Sequence, residues 1–85
     1  MYQLKQTRRF QKDFNKLETK EKNRITEKLS LLAGGKWKRL DIRKLKGTDE
    51  CYRLRSGNYR VLLEKRKDEL IIILLSVRHM KESHR

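Results

Sequence analysis

Leu70-Ile71-Ile72-Ile73-Leu74-Leu75, closed by Ser76-Val77, is the longest apolar run in the chain. It is rich in β-branched residues and too short for an ordinary helix. It therefore predicts a strand covered on both faces, at the centre of a sheet. Working back from it, Arg66-Lys67-Asp68 marks a turn and Tyr59 to Lys65 a strand. Ser56-Gly57-Asn58 marks a tight turn, and Tyr52 to Arg55 forms the partner strand of a hairpin.

The first half of the chain has a different period. Tyr2 to Thr7 alternates as a short strand. Phe10, Phe14 and Leu17 then recur at i, i+4 and i+7, a helical stripe over about Arg8 to Leu17. Thr19 reads as the N-cap of a second helix, with Glu21 in its first turn. Ile25, Leu29 and Leu32 repeat the same spacing, and Gly34-Gly35 ends the helix. Lys36 to Asp49 reads as an extended crossing segment anchored by Trp37, Leu40, Ile42 and Leu45. The predicted fold is α+β, in the order β-α-α-β-β-β. It has one antiparallel sheet, an αα-hairpin packed on one face, and the opposite face left open for binding.

At 85 residues, 35% of them apolar, the chain makes one domain over residues 1–85 with a modest core. Lys and Arg number 24 against 11 Asp and Glu, a formal net charge of +13, with a pI near 10.3 and a mean hydropathy of -0.99. A solvated ion-pair surface of thermophilic type predicts balanced signs, and these are unbalanced. The charge points to a polyanionic partner, whether nucleic acid, ribosome or an acidic protein. No run approaches the about 18 to 20 apolar residues of a membrane span, and the N-terminus has no signal-peptide core, so a cytoplasmic protein without membrane contact is expected. Cys51, the single cysteine, excludes an internal disulfide and a cysteine-rich zinc site, and reads as a half-buried structural residue. Two histidines and one cysteine offer no accepted metal-ligand spacing, so no metal or cofactor is expected. A phosphate-binding glycine loop, a nucleophile elbow and a dinucleotide fingerprint are likewise missing.

Arg53 and Arg55 are two residues apart on one strand and share a face. Arg60, across the turn on the paired strand, is placed to join them. Lys44 and Lys46 extend the same basic field.

Three pieces together resemble the RelE/ParE toxin superfamily. They are Lys44-Leu45-Lys46-Gly47, the hairpin Tyr52-Arg53-Leu54-Arg55-Ser56-Gly57-Asn58-Tyr59-Arg60-Val61, and Asp68-Glu69-Leu70 leading to a strand that ends Ser76-Val77-Arg78-His79. The resemblance covers the C-terminal half in residues and the N-terminal helices in pattern. It implies the same β-α-α-β-β-β order and a cognate antitoxin protein that neutralises the toxin. Two activities occur in the superfamily. RelE-like members cut messenger RNA on the ribosome by making a ribose 2′-hydroxyl attack the adjacent phosphate. ParE-like members poison DNA gyrase without a nuclease site.

Cleavage by the RelE route requires a base for the 2′-hydroxyl, cations for the charge gathering on phosphorus, and an acid for the leaving oxygen. Guanidinium groups suit the second task and imidazole the other two. In RelE-like sequences basic residues at the positions of Arg53, Arg55 and Arg60 belong to the phosphate-holding cluster. The resemblance therefore assigns Arg60, His79 and His84 to catalysis, with His84 near the family's terminal Tyr or His as general acid or base. Lys44, Lys46, Arg53, Arg55, Arg78, Lys81 and Arg85 are assigned to RNA and phosphate binding. Met80 stands where RelE-like members carry an Arg, and Glu64 where an aromatic is common. The resulting expectation is a metal-independent, ribosome-dependent mRNA endonuclease that inhibits translation. A ParE-like gyrase inhibitor and a catalytically decayed RNA-binding homologue are the alternatives.

Overall fold

Thr7 decides where the chain turns from strand to helix. In the computed structural model, which describes residues 1–81, its hydroxyl accepts from the Phe10 backbone N–H at 3.0 Å and caps the first helix. Strand β1 (Gln3–Gln6) precedes it, and helices α1 (Arg8–Asn15) and α2 (Thr19–Ala33) follow. The first residue of α2 is Thr19, one position inside the expected cap. Glu18 is the N-cap and makes no side-chain capping bond. Gly34 and Gly35 stop α2 as expected. Gly35 adopts φ 78°, its N–H reaches Leu32 O, and the Lys36 N–H reaches Leu31 O, the two bonds of a Schellman ending.

The segment from Lys36 to Asp49 is less extended than expected. Trp37–Arg39 is a 3-10 turn, and Ile42–Lys44 is a short strand, β2. Trp37, Leu40 and Ile42 pack against the core as expected; Leu45 lines a recess on the other side of the sheet. The hairpin follows as β3 (Cys51–Ser56) and β4 (Tyr59–Arg66). Gly57 takes φ 59° in the two-residue turn, and Asn58 has no positive φ, the II′ pattern that fits strand twist. A 3-10 turn at Lys67–Glu69 leads to β5 (Ile71–His79).

The five strands form one sheet in the order β1-β5-β4-β3-β2. The apolar run is therefore central, as predicted. The wholly antiparallel sheet is not observed, because β1 pairs parallel with β5, Gln3 beside Ile71 and Gln6 beside Leu74. The αα-hairpin returns the chain to the end where β1 began, where the Tyr2 N–H donates to Ala33 O. The segment after Gly35 then crosses to the other end, where the Arg55 N–H donates to Asp41 O. Strand β2 therefore runs against β1 and, three antiparallel steps later, β5 runs with it.

Phe10, Ile25, Leu29 and Leu32 from the helices pack on Leu54, Val61, Leu63, Ile72, Leu74 and Val77 from one sheet face. The opposite face has no helix over it, and there Ile71, Ile73 and Leu75 are half-buried where full cover was predicted. Between Leu62 and Leu63 the β4–β5 register shifts. Leu63 pairs with Leu74 but Leu62 with Ser76, so Leu75 is an extra, bulged residue. Helix α1 brackets this bulge. The Thr7 hydroxyl donates to Leu75 O at 2.8 Å, and Asp13 Oδ2 accepts from the Val77 N–H at 3.0 Å. These two side chains take over as partners of β5 where β1 ends. No helix among the described residues is long and apolar enough to cross a membrane.

Candidate functional site

Antiparallel partners project to the same face, so the register lists what the open face presents. One row crosses three strands as Arg55, Arg60 and Arg78. The next crosses four, as Arg43, Arg53, Leu62 and Ser76. Five arginines thus share one patch, with opposing side chains about 5 Å apart at Cβ. Two adjoining recesses mark it. Asp41, Arg43, Arg53, Arg55 and Arg60 line the first, and Leu45, Arg53, Arg60, Leu62, Ser76 and Arg78 line the second.

The backbone beneath is firmly tied. The Arg55 N–H donates to Asp41 O at 2.9 Å, which joins the start of β2 to the hairpin. Arg55 Nε donates to Gly57 O at 3.3 Å. From the far face Lys28 Nζ lies 3.3 Å from the Ser56 hydroxyl, fixing the hairpin tip on α2.

Ion pairs among the described residues join Arg9 to Asp13, Arg24 to Glu21, Lys44 to Asp49 and Arg66 to Glu64. Arg43, Arg53, Arg55 and Arg78 take part in none of these. Asp41 is the one carboxylate lining the two recesses. Other acids collect at the far end of the hairpin, where Glu64 accepts from Arg66 Nε at 2.6 Å and raises the guanidinium pKa above its ordinary value. The open face is thus strongly cationic at one end and charge-compensated at the other. Such a patch holds phosphodiester oxygens by charge-assisted hydrogen bonds.

The expected residues divide by face. Arg53, Arg55, Arg60 and Arg78 converge. Lys44 pairs with Tyr52, which puts it on the helix side of the sheet, within 3.5 Å of Asp49. Lys46 is exposed in the turn before Gly47, and Lys81 is exposed beyond β5, its N–H donating to His79 Nδ1 at 3.1 Å. His79 pairs with Tyr59 on the helix side, the two rings edge to face at 5.0 Å. Arg9, Asp13 and Lys16 line the same groove. His79 is thus not brought to the arginine patch. His84 and Arg85 lie outside the described residues.

Arg43, Asp41, Leu45, Leu62 and Ser76 were not foreseen. The signal for Arg43 was present: once Ile42 is an inward anchor on a strand, its neighbour must point outward.

The fold and most of its sequence have relatives of known structure. A chain of the archaeal RelE–RelB complex from Pyrococcus horikoshii is 25% identical with a TM-score of 0.79, over 93% of this chain and 94% of that one. A chain of the RelB–RelE antitoxin–toxin complex from Methanococcus jannaschii is 29% identical at TM-score 0.79, over 94% of each. A chain of the intact Escherichia coli RelBE toxin–antitoxin complex is 26% identical at TM-score 0.74, over 93% and 96%. No curated protein sequence matches the chain. The family model for the ParE toxin of the type II toxin–antitoxin system parDE matches residues 4–84. With that match over nearly its whole length and RelE toxins as its structural relatives, the chain belongs to the ParE toxin family, in the RelE/ParE superfamily of type II toxin–antitoxin toxins.

Proposed function

We propose that the chain is a ribosome-dependent mRNA endonuclease that binds its substrate through the arginine patch of the open sheet face. The observation that carries this reading is the cross-strand row Arg55, Arg60 and Arg78 beside Arg43 and Arg53. Cationic side chains placed directly opposite one another repel, and a folded protein gains little from such a row except affinity for a polyanion.

In this reading Arg53, Arg55 and Arg78 hold the phosphate, and Arg60 stabilises the charge that grows on it during attack by the 2′-hydroxyl. His84 is the proposed general acid or base, and Arg85 and Lys81 are proposed to add backbone contacts. His79, on the opposite face, is given no contact with that phosphate. Lys44 and Lys46 contribute through the long-range field. The chemistry requires no metal, because guanidinium groups supply the charge and an imidazole moves the proton.

The partner in the cell is proposed to be a cognate antitoxin, acidic or amphipathic, that covers the open sheet face or the helix groove. RelE relatives of this chain are seen in complexes with RelB. Expression with the product of the adjacent reading frame is expected to yield a co-purifying complex; no such product would contradict this.

A second reading, inhibition of DNA gyrase, is favoured by the ParE description of the matching family and by the position of His79 away from the patch. Two parallel assays of the purified chain separate the readings: translation of a defined message, and supercoiling of relaxed plasmid by gyrase. Arrest of the first alone, lost in Arg60→Ala, supports the nuclease; arrest of the second alone replaces it with the gyrase reading.

A further inference from the structure

The two recesses of the open face share Arg53 and Arg60 but differ in chemistry. Phosphate accounts for the four arginines that line one half beside Asp41. Nothing about phosphate accounts for Leu45 and Leu62 in the other half, beside Ser76 and Arg78. Both leucines are half-buried, and neither packs against the hydrophobic core. They form an apolar wall, facing outward, within one strand spacing of guanidinium groups.

The bulge at Leu75 creates this space. A regular ladder continued from the Leu63–Leu74 pair would set Leu75 opposite Leu62. The register shift sets Ser76 there instead, replacing a bulky apolar side chain by a small hydroxyl. Thr7 and Asp13 hold the bulge from α1.

A polymer that presents phosphate to Arg53 and Arg60 carries, one nucleoside away, a flat group with apolar faces and a polar edge. We propose that Leu45, Leu62, Ser76 and Arg78 form a nucleobase subsite, which takes the base of the nucleotide whose phosphate lies between Arg53 and Arg60. The aliphatic side chains contact one face of the base, and the plane of the Arg78 guanidinium lies over the other while its edge N–H groups stay on the phosphate. The Ser76 hydroxyl meets the base edge as donor or acceptor. This inference rests on the nucleic-acid reading above and adds a base contact to it.

The test measures equilibrium binding of the full-length protein to three probes: a short single-stranded RNA, the same strand with abasic riboses at its centre, and inorganic polyphosphate. The wild-type chain is expected to bind the intact RNA about tenfold more tightly than the abasic strand, the scale of one stacked base. Leu62→Ala and Leu45→Ala are expected to erase that preference and keep the wild-type affinity for polyphosphate. Both residues are outside the core, so the variants are expected to fold, and circular dichroism checks this. Equal wild-type affinity for intact and abasic RNA overturns the subsite, with the phosphate site standing if polyphosphate still binds. Folded variants that keep the base preference also overturn it. Failure to bind all three probes removes the nucleic-acid reading and the subsite together.

Discussion

Arg55, Arg60 and Arg78 stand side by side on three neighbouring strands. Like charges directly opposite on a sheet destabilise by about 0.2 to 1 kcal/mol per pair. Replacing one should therefore stabilise the fold while harming binding. Arg78→Thr, on an exposed position with a good strand former, is expected to raise unfolding stability by roughly 0.5 kcal/mol. It is also expected to weaken RNA binding by about tenfold, from the loss of a hydrogen bond to a charged group. Urea unfolding and RNA binding on the same samples check both signs; a loss of stability would mean that the row is not repulsive. Asp41 opposes the patch from its rim, and Asp41→Asn is expected to tighten polyphosphate binding about fivefold, the effect of roughly 1 kcal/mol in water. A weaker complex would instead assign Asp41 a direct role in holding the arginines.

The face shared by Arg53, Arg55 and Arg60 was legible because strand alternation and a two-residue turn fix it. The same alternation separates Arg78 from His79, which the sequence reading had grouped as neighbours of one site. Lys44 and Arg43 exchanged roles for a related reason: without a register for the segment after Gly35, neighbouring basic residues cannot be assigned to faces.

Helix α1 works as a partner strand for the end of β5. Thr7 takes the Leu75 carbonyl and Asp13 the Val77 N–H, so a helix satisfies the backbone groups that β1 leaves behind. Asp13→Ala is expected to cost about 1 to 3 kcal/mol, the cost of an abandoned buried donor. It should also speed amide hydrogen exchange at Val77 ahead of the rest of β5. Uniform loss of protection along the strand would contradict this local role. Gly57 is the other exacting position, because its φ of 59° costs an L side chain about 1 to 2 kcal/mol. A Cβ there would meet Arg24 and Glu21 only at ordinary contact distances of 3.6 and 3.7 Å. Gly57→Ala should therefore lose stability through backbone strain alone.

Helices, hairpin and central strand were readable from period and turn residues. The parallel pairing of β1, the short strand β2 and the bulge at Leu75 were not. Each depends on which segments meet in space, and an unbroken run of apolar residues looks the same with or without one residue inserted in the ladder.

The whole molecule separates its charge by face and by end. Five arginines occupy one end of the open sheet face, while Asp49, Glu50, Glu64, Asp68 and Glu69 fall toward the far end of the hairpin. A formal charge of +13 gives long-range attraction for any polyanion, and the proposed role of the patch is to decide where it lands. Binding to single-stranded RNA is expected to weaken with salt with a logarithmic slope of about -3, from four or five phosphates neutralised at roughly 0.7 each. A slope near zero would remove phosphate contacts from the account.

The fold and family follow from apolar pattern and hairpin motif, but they leave two targets open, and the central claim is the more specific one: this patch holds messenger RNA for cleavage. The direct measurement maps 5′ ends by primer extension after the purified chain meets ribosomes programmed with a defined message. New ends at the A-site codon are predicted with the wild-type chain, and none with Arg60→Ala or with His84→Ala. An intact message after the wild-type chain has met the programmed ribosomes would contradict the claim.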